Sequence, residues 1–328
     1  MNSTHSLTSR DDSDAQTVHG SRALTIAWLI LNIWPSHLGL PVLIAVIYVS
    51  GRVYRHPTFV SMCVTWWIDG LVSSLLFWAG HQTGSEPPYG LCLAQGSLLY
   101  GVPVMTALSG LFLIHTVFYS LNRPPSAVPE EWTKLTWVML IAPYAAWLAC
   151  FLAAIAVGRS HPELVSRDQH YFFCAVNFEP LSIFMAALTS IILAGTIALL
   201  LRLIMVMFRQ SKAVGLYRSS GDVSRLLRII AFGFHSTIGI VLETFSAEMG
   251  TSPVPHLIMA TMGTEIIMIF ATQSDVVRAL CPWKHTERGQ DMEIQPRIEE
   301  PPWDVIPSLR RYNIGTYTGR GAVEDTES

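Results

Sequence analysis

Apolar residues fall into seven long stretches with polar segments between them. The stretches run from Ala23 to Ser50, Thr58 to Gly80, Leu91 to Leu121, Lys134 to Gly158, Phe178 to Phe208, Leu226 to Ala247 and His256 to Leu280. A helix needs about 20 apolar residues to cross a bilayer core of roughly 30 Å. Each stretch therefore predicts a membrane-spanning helix. The fold class expected is all-α: an integral membrane, seven-transmembrane helix bundle, N-terminus outside and C-terminus cytosolic. Residues 1–22 are expected to be a disordered extracellular N-terminus, 23–280 the helical domain and 281–328 a disordered cytosolic tail. The first segment carries Asp11, Asp12 and Asp14 and lacks the basic start and short apolar core of a signal peptide. The first span is thus expected to stay in the mature protein. No solenoid or propeller period is visible.

Composition agrees with the pattern. Of 328 residues, 51% are apolar and only 14% charged, against about 25% charged in an average soluble chain. Too few charges remain to cover a soluble surface, and the mean hydropathy is +0.39. With 22 Gly, 19 Pro and 5 Cys, the chain is neither collagen-like nor a disulfide scaffold. A net charge of -3 gives no sign of nucleic-acid binding.

Charge placement sets the expected orientation. With the N-terminus outside, the cytosolic side holds 17 of the 21 Lys and Arg. Without the seven from Arg278 onward the split is still ten against four, as the positive-inside rule requires. The same orientation leaves Asn2-Ser3-Thr4 in the compartment where N-glycosylation occurs. It also puts Cys92, at the start of span three, and Cys174, in the second outer loop, in an oxidising compartment. A bond between them would pin that loop over the bundle mouth. The alternative is two unpaired thiols. Cys63 and Cys150 fall within spans as packing residues. Cys281 follows the last span, where palmitoylation and an idle thiol are both open.

The layout of seven spans, N-terminus out, with a Cys at the start of span three and another in the second outer loop, resembles a G-protein-coupled receptor. Locally, "PPYGLCLAQGSLLYG" from Pro87 to Gly101 and "IFATQSDVVRALCPW" from Ile269 to Trp283 resemble a group of fungal, mainly basidiomycete, seven-span receptor-like proteins. The resemblance implies a plasma-membrane receptor that reads an extracellular ligand and signals to a heterotrimeric G protein. Some rhodopsin-like hallmarks are absent. Span three ends in "FYSLNRPP", with Arg123 but no acid before it, and span seven lacks Asn-Pro-x-x-Tyr. Span seven also has no Lys to bind retinal.

Polar groups inside spans are the candidate working parts. A carboxylate at the centre of a span costs roughly 2.5–3.5 kcal/mol on insertion scales, so it should face the bundle interior and find a partner. Asp69 sits about halfway along span two and Glu265 near the middle of span seven. Neighbouring spans would let these two acids share one site, as a proton- or cation-sensitive switch or as a packing lock. His235 and Glu243, eight residues apart on span six, share a face that suits a ligand-pocket wall. His115 and His37 are read as satisfied packing residues. Trp66 and Trp67 lie deep enough in span two to line a pocket or to pack. Pro35, Pro41, Pro103 and Pro143 predict kinks whose freed carbonyls neighbours satisfy. No His-x-x-x-His, His-Glu-x-x-His or Cys-x-x-Cys occurs, and no nucleophile–base set converges in depth, so neither a metal, a cofactor nor an enzyme is expected. On the cytosolic side Arg123, Arg209, Lys212, Arg225 and Arg228 are placed to meet a G protein or anionic membrane lipid. The reading is a receptor for an extracellular small molecule or lipid. The rival is a seven-span transporter or lipid-translocating protein, which a proline-broken span one would favour.

Overall fold

The computed structural model describes residues 22–50, 55–122, 133–167, 172–213, 220–246, 253–273, 276–277 and 279. Nearly all of them are helical. Helix α1 is Arg22–Val49. Helix α2 is Pro57–Ser73, followed by a further turn at Leu75–Trp78. Helix α3 comprises Tyr89–Tyr100 and Val102–Asn122. Then come α4 (Lys134–Ser160), α5 (Glu179–Ala213), α6 (Ser220–Ser246) and α7 (Val254–Ala271). Local chemistry sets several starts. Pro57 opens α2 where a missing N–H costs nothing, and the His56 ring accepts the Thr58 N–H at 3.3 Å. Thr133 caps α4 by accepting the Thr136 N–H at 3.1 Å.

Among the described residues five helices, α1, α3, α4, α5 and α7, are long and apolar enough to cross a membrane. The sequence predicts seven; the other two are α2 and α6. Helix α2 stops after 17 residues. The Ser74 hydroxyl turns back to the Gly70 carbonyl at 2.8 Å, and the chain resumes helix for only four residues. Helix α6 has 27 residues, and Ile230–Leu242 is an apolar segment within it. Asp222, Arg225 and Arg228 occupy its first turns.

Two proline sites alter the regular helical hydrogen bonding. Around Pro35–Gly39, α1 widens into a π-turn, and the Leu40 N–H reaches the Pro35 carbonyl, so one continuous helix passes the proline. In α3 the break falls at Gly101, just before Pro103. A neighbour mends it: the Trp147 indole of α4 donates to the Leu98 carbonyl at 3.0 Å. A Cβ on Gly101 would lie 2.7 Å from the Trp147 carbonyl oxygen, so only glycine permits this approach.

Helix α3 packs against α2, α4, α5 and α6, and is the central helix of the bundle. Helix α7 lies against α6, α2 and α1. A main core of Leu40, Met62, Trp66, Phe232, Ile266 and Phe270 joins these helices. The outward faces of α4 and α5 stay apolar, with Ile141, Leu148, Leu152, Ile183, Phe184 and Ile191 exposed. Contiguous exposed apolar surface of this kind suits lipid, not water. Hydroxyl pairs stitch the interior, among them Thr65 with Ser109 at 3.0 Å and Ser61 with Tyr144 at 3.1 Å. Such interhelical bonds contribute about 0.6 kcal/mol each on average in membrane bundles.

Between α4 and α5 the chain forms a feature absent from the sequence reading, a small antiparallel hairpin. Strand β1 (Val165–Ser166) pairs with β2 (Ala175–Val176), Val165 opposite Val176. It lies across the start of α3.

Candidate functional site

The hairpin end of the bundle is closed and heavily tied. Cys92, near the start of α3, is bonded to Cys174, just before β2. This settles the two alternatives for that pair in favour of the bond. One turn along α3, on the same face, Gln95 is fully buried. Its amide donates to the Val72 and Ser73 carbonyls at 3.2 and 3.1 Å, where α2 breaks. Its carbonyl accepts the Cys174 N–H at 3.0 Å. Gln95 thus joins α2, α3 and the hairpin at one point. The sequence reading did not single it out. The signal was a lone amide three residues after the bonded Cys, in an otherwise apolar helix.

Two further ties hold the hairpin down. The Arg167 guanidinium donates to the His81, Gln82 and Gly84 carbonyls at 3.1, 3.1 and 2.9 Å, and its N–H reaches Glu86 at 2.9 Å. Phe172 is buried and stacks on Trp28 of α1, ring centroids 5.1 Å apart. Gln82 donates to the Phe172 carbonyl at 2.8 Å. Nearby, on the rim, Glu163 is held below the usual carboxylate range, first by its own backbone N–H and then by His161 at 3.2 Å.

At mid-depth Trp66 and Trp67 separate. Trp66 is buried, while Trp67 turns outward at 36% exposure. Trp66 borders two small cavities. The larger, ≈ 20 Å³, lies among α2, α3, α5 and α6 beside Thr106, Gly110, Thr196 and Thr237. The smaller, ≈ 10 Å³, lies among α1, α2 and α7 beside Asn32, Ser36 and Asp69. Each has room for about one water, far below the several hundred Å³ of a ligand pocket.

The two acids, expected to be able to share one site, each have a different neighbour. Glu265 is ion-paired with His235 of α6. Asp69 accepts from Ser73 at 3.3 Å in the smaller cavity, whose lining does not include Glu265. Helices α1, α2 and α7 crowd this spot: a Cβ on Gly70 would lie 2.5 Å from the Ser36 Cβ, and one on Gly263 2.9 Å from the Pro35 Cβ. His235 had been placed with Glu243 as a pocket wall, but the side chain of Glu243 lies outside the described residues. His115 stacks on Tyr119, and its Nδ1 is buried without a hydrogen-bond partner.

At the opposite end Arg228 turns to a neighbour instead of standing free. Its Nη1 donates to the Ile269 carbonyl at 3.1 Å and to the Thr272 hydroxyl at 3.0 Å. Arg55, just before α2, donates to the Gln273 side chain just past α7. Arg209 is exposed at the end of α5. Asn2, Arg123 and Cys281 lie outside the described residues, as do the side chains of Lys212 and Arg225. Cys63 and Cys150 are buried free thiols, as their place in the spans implies. Among the described residues no group of three His, Cys, Asp or Glu side chains is placed to hold a metal ion.

No known family model matches the chain, and no curated protein matches it in sequence. What the geometry defines is an α-helical membrane-type bundle with a disulfide-fastened cap, small interior cavities and polar ties between helices.

Proposed function

We propose that this chain is a seven-span membrane receptor, in which α2 and α6 complete the set of crossings. The hairpin end faces outward and the opposite end faces the cytosol. An extracellular small molecule or lipid shifts helix packing, and the cytosolic ends of α3, α5 and α6 pass the shift to a heterotrimeric G protein. The observation that carries this reading is the bond from the central helix α3 to the hairpin. It fixes a cap over the end where a cue arrives, and leaves the other end to weaker ties. Pro57 to Trp78 adds up to 22 positions, about 33 Å of helix rise, enough for a crossing once Gln95 mends the break. The fungal receptor-like character of 87–101 and 269–283 points the same way. In the transporter reading span one is discontinuous, whereas α1 runs unbroken through its π-turn.

A ligand acts only by preferring a second packing over this one. The reading is tested in cells with a panel of heterotrimeric G-protein dissociation sensors, challenged with conditioned extracts. The expected outcome is dissociation that depends on the chain and on an extract. Silence across the panel together with measurable substrate flux would replace the receptor with the transporter.

A further inference from the structure

Three contacts join α6 to α7 along much of their length. The first is Arg228 on the Ile269 carbonyl and Thr272 hydroxyl. These groups belong to the last turn of α7, where carbonyls lack helical partners and the helix dipole is negative. Two turns further along α6, His235 is ion-paired with Glu265. One turn beyond, Gly239 meets Met262: a Cβ there would lie 2.7 Å from the Met262 Cε. Between them the Ser236 hydroxyl reaches the Met262 sulfur at 3.8 Å. Positions 228, 235 and 239 follow the i, i+7, i+11 spacing of one helix face.

The side of α6 that meets α3 and α5 is of another kind. It is apolar, with Phe232 and Ile240 buried, and it borders the cavity beside Trp66. The hydroxyls lining that cavity bond back to their own helices: Thr237 to the Gly233 carbonyl at 2.7 Å, Thr196 to the Ile192 carbonyl at 2.9 Å and Thr106 to the Val102 carbonyl at 2.9 Å. On α3, a Cβ on Gly110 would meet nothing within 4 Å. Close packing resists small displacements, and space relieves that resistance.

We infer that α6 and α7 move as one rigid pair, and that the bundle yields along the apolar seam between this pair and α3–α5. The polar ties would each have to be broken, and their groups left without partners, for α6 to leave α7. Sliding along the seam breaks no hydrogen bond of the three cavity hydroxyls. The inference concerns mechanics alone and holds whether or not the chain signals to a G protein.

The test measures distances between spin labels in the full chain, purified into lipid nanodiscs. Labels are coupled to a ketone-bearing residue introduced at exposed positions, which leaves the disulfide intact. Ile238 on α6 with Met268 on α7 reports the pair, and Leu201 on α5 with Ile238 reports the seam. Gly110→Leu wedges the seam. It is expected to move the 201–238 distance by about 2 Å or more, the scale of interface helix shifts, with the 238–268 distance unchanged. Arg228→Ala combined with Glu265→Gln is expected to broaden the 238–268 distribution. If Gly110→Leu yields no monodisperse protein, Gly233→Ala carries the same test with a smaller shift, because a Cβ there would lie 3.0 Å from the Leu200 Cδ2 of α5 and 3.4 Å from the Ile114 Cδ1 of α3. Equal displacement of both distances by the wedge, or a 238–268 distribution that stays narrow when both ties are cut, would overturn the rigid pair.

Discussion

The two ends of the bundle are held by different means. At the hairpin end a covalent bond, a fully buried amide and a guanidinium on three carbonyls converge on one short segment. At the opposite end, among the described residues, the ties include Arg55 on Gln273, Arg228 on the end of α7 and the Thr58 hydroxyl on that of Thr116. The first set resists displacement because breaking it strands buried polar groups. The second set holds by individual hydrogen bonds, with no covalent link among the described residues. A bundle built this way is anchored where it is capped and can rearrange where it is not. The same contrast lets one sequence be both stable and switchable, since local stability need not be uniform across a fold.

The comparison can be broken by mutation, starting from the strongest tie. Replacing Cys92 and Cys174 by Ser is expected to cost about 2–5 kcal/mol, read as loss of folded, monodisperse protein. Gln95→Leu removes the partner of the Cys174 N–H and of two α2 carbonyls. It is expected to cost about 2 kcal/mol, read as a fall in Tm of the purified chain. Arg167→Ala is partly exposed and is expected to cost about 1 kcal/mol. Arg228→Ala, at the other end, is expected to cost no more than about 1 kcal/mol, while changing the helix spacing there. If Arg228→Ala proves more destabilising than Gln95→Leu, the contrast between the ends fails. The smallest effect lies at Glu163. Its depressed pKa means that its contribution is present above the unfolded carboxylate value and is lost as pH falls through the lower folded value. Full exposure screens that contribution, so the Tm of Glu163→Gln should match the wild type from neutral pH down through the carboxylate range.

Much of the helical layout could be read from the apolar pattern, because a bilayer demands long apolar runs. The points where helices yield could not. Ser74 ends α2 and Gly101 interrupts α3 through contacts with Gln95 and Trp147, which come from other helices. The π-turn at Pro35 likewise depends on how α1 meets α2 and α7. Cysteine placement made the disulfide legible, since only two thiols fell on one side. Depth along a span was legible too, and it marked Asp69, His235 and Glu265. Rotation about the helix axis was not, and that is why Glu265 was matched with Asp69 when the bundle turns it to His235. For the same reason Arg228 was read as facing the cytosol, while the fold turns it onto the end of α7.

The central claim, a capped receptor whose uncapped end is released to signal, meets its most direct test in one measurement. Basal G-protein dissociation is recorded in cells expressing wild type or Arg228→Ala at matched surface level. The account predicts a higher basal signal for Arg228→Ala with at least one G-protein class, because the tie that holds the uncapped end is gone. A signal no higher than that of wild type with every class, from a variant shown to be folded and at the surface, would contradict it.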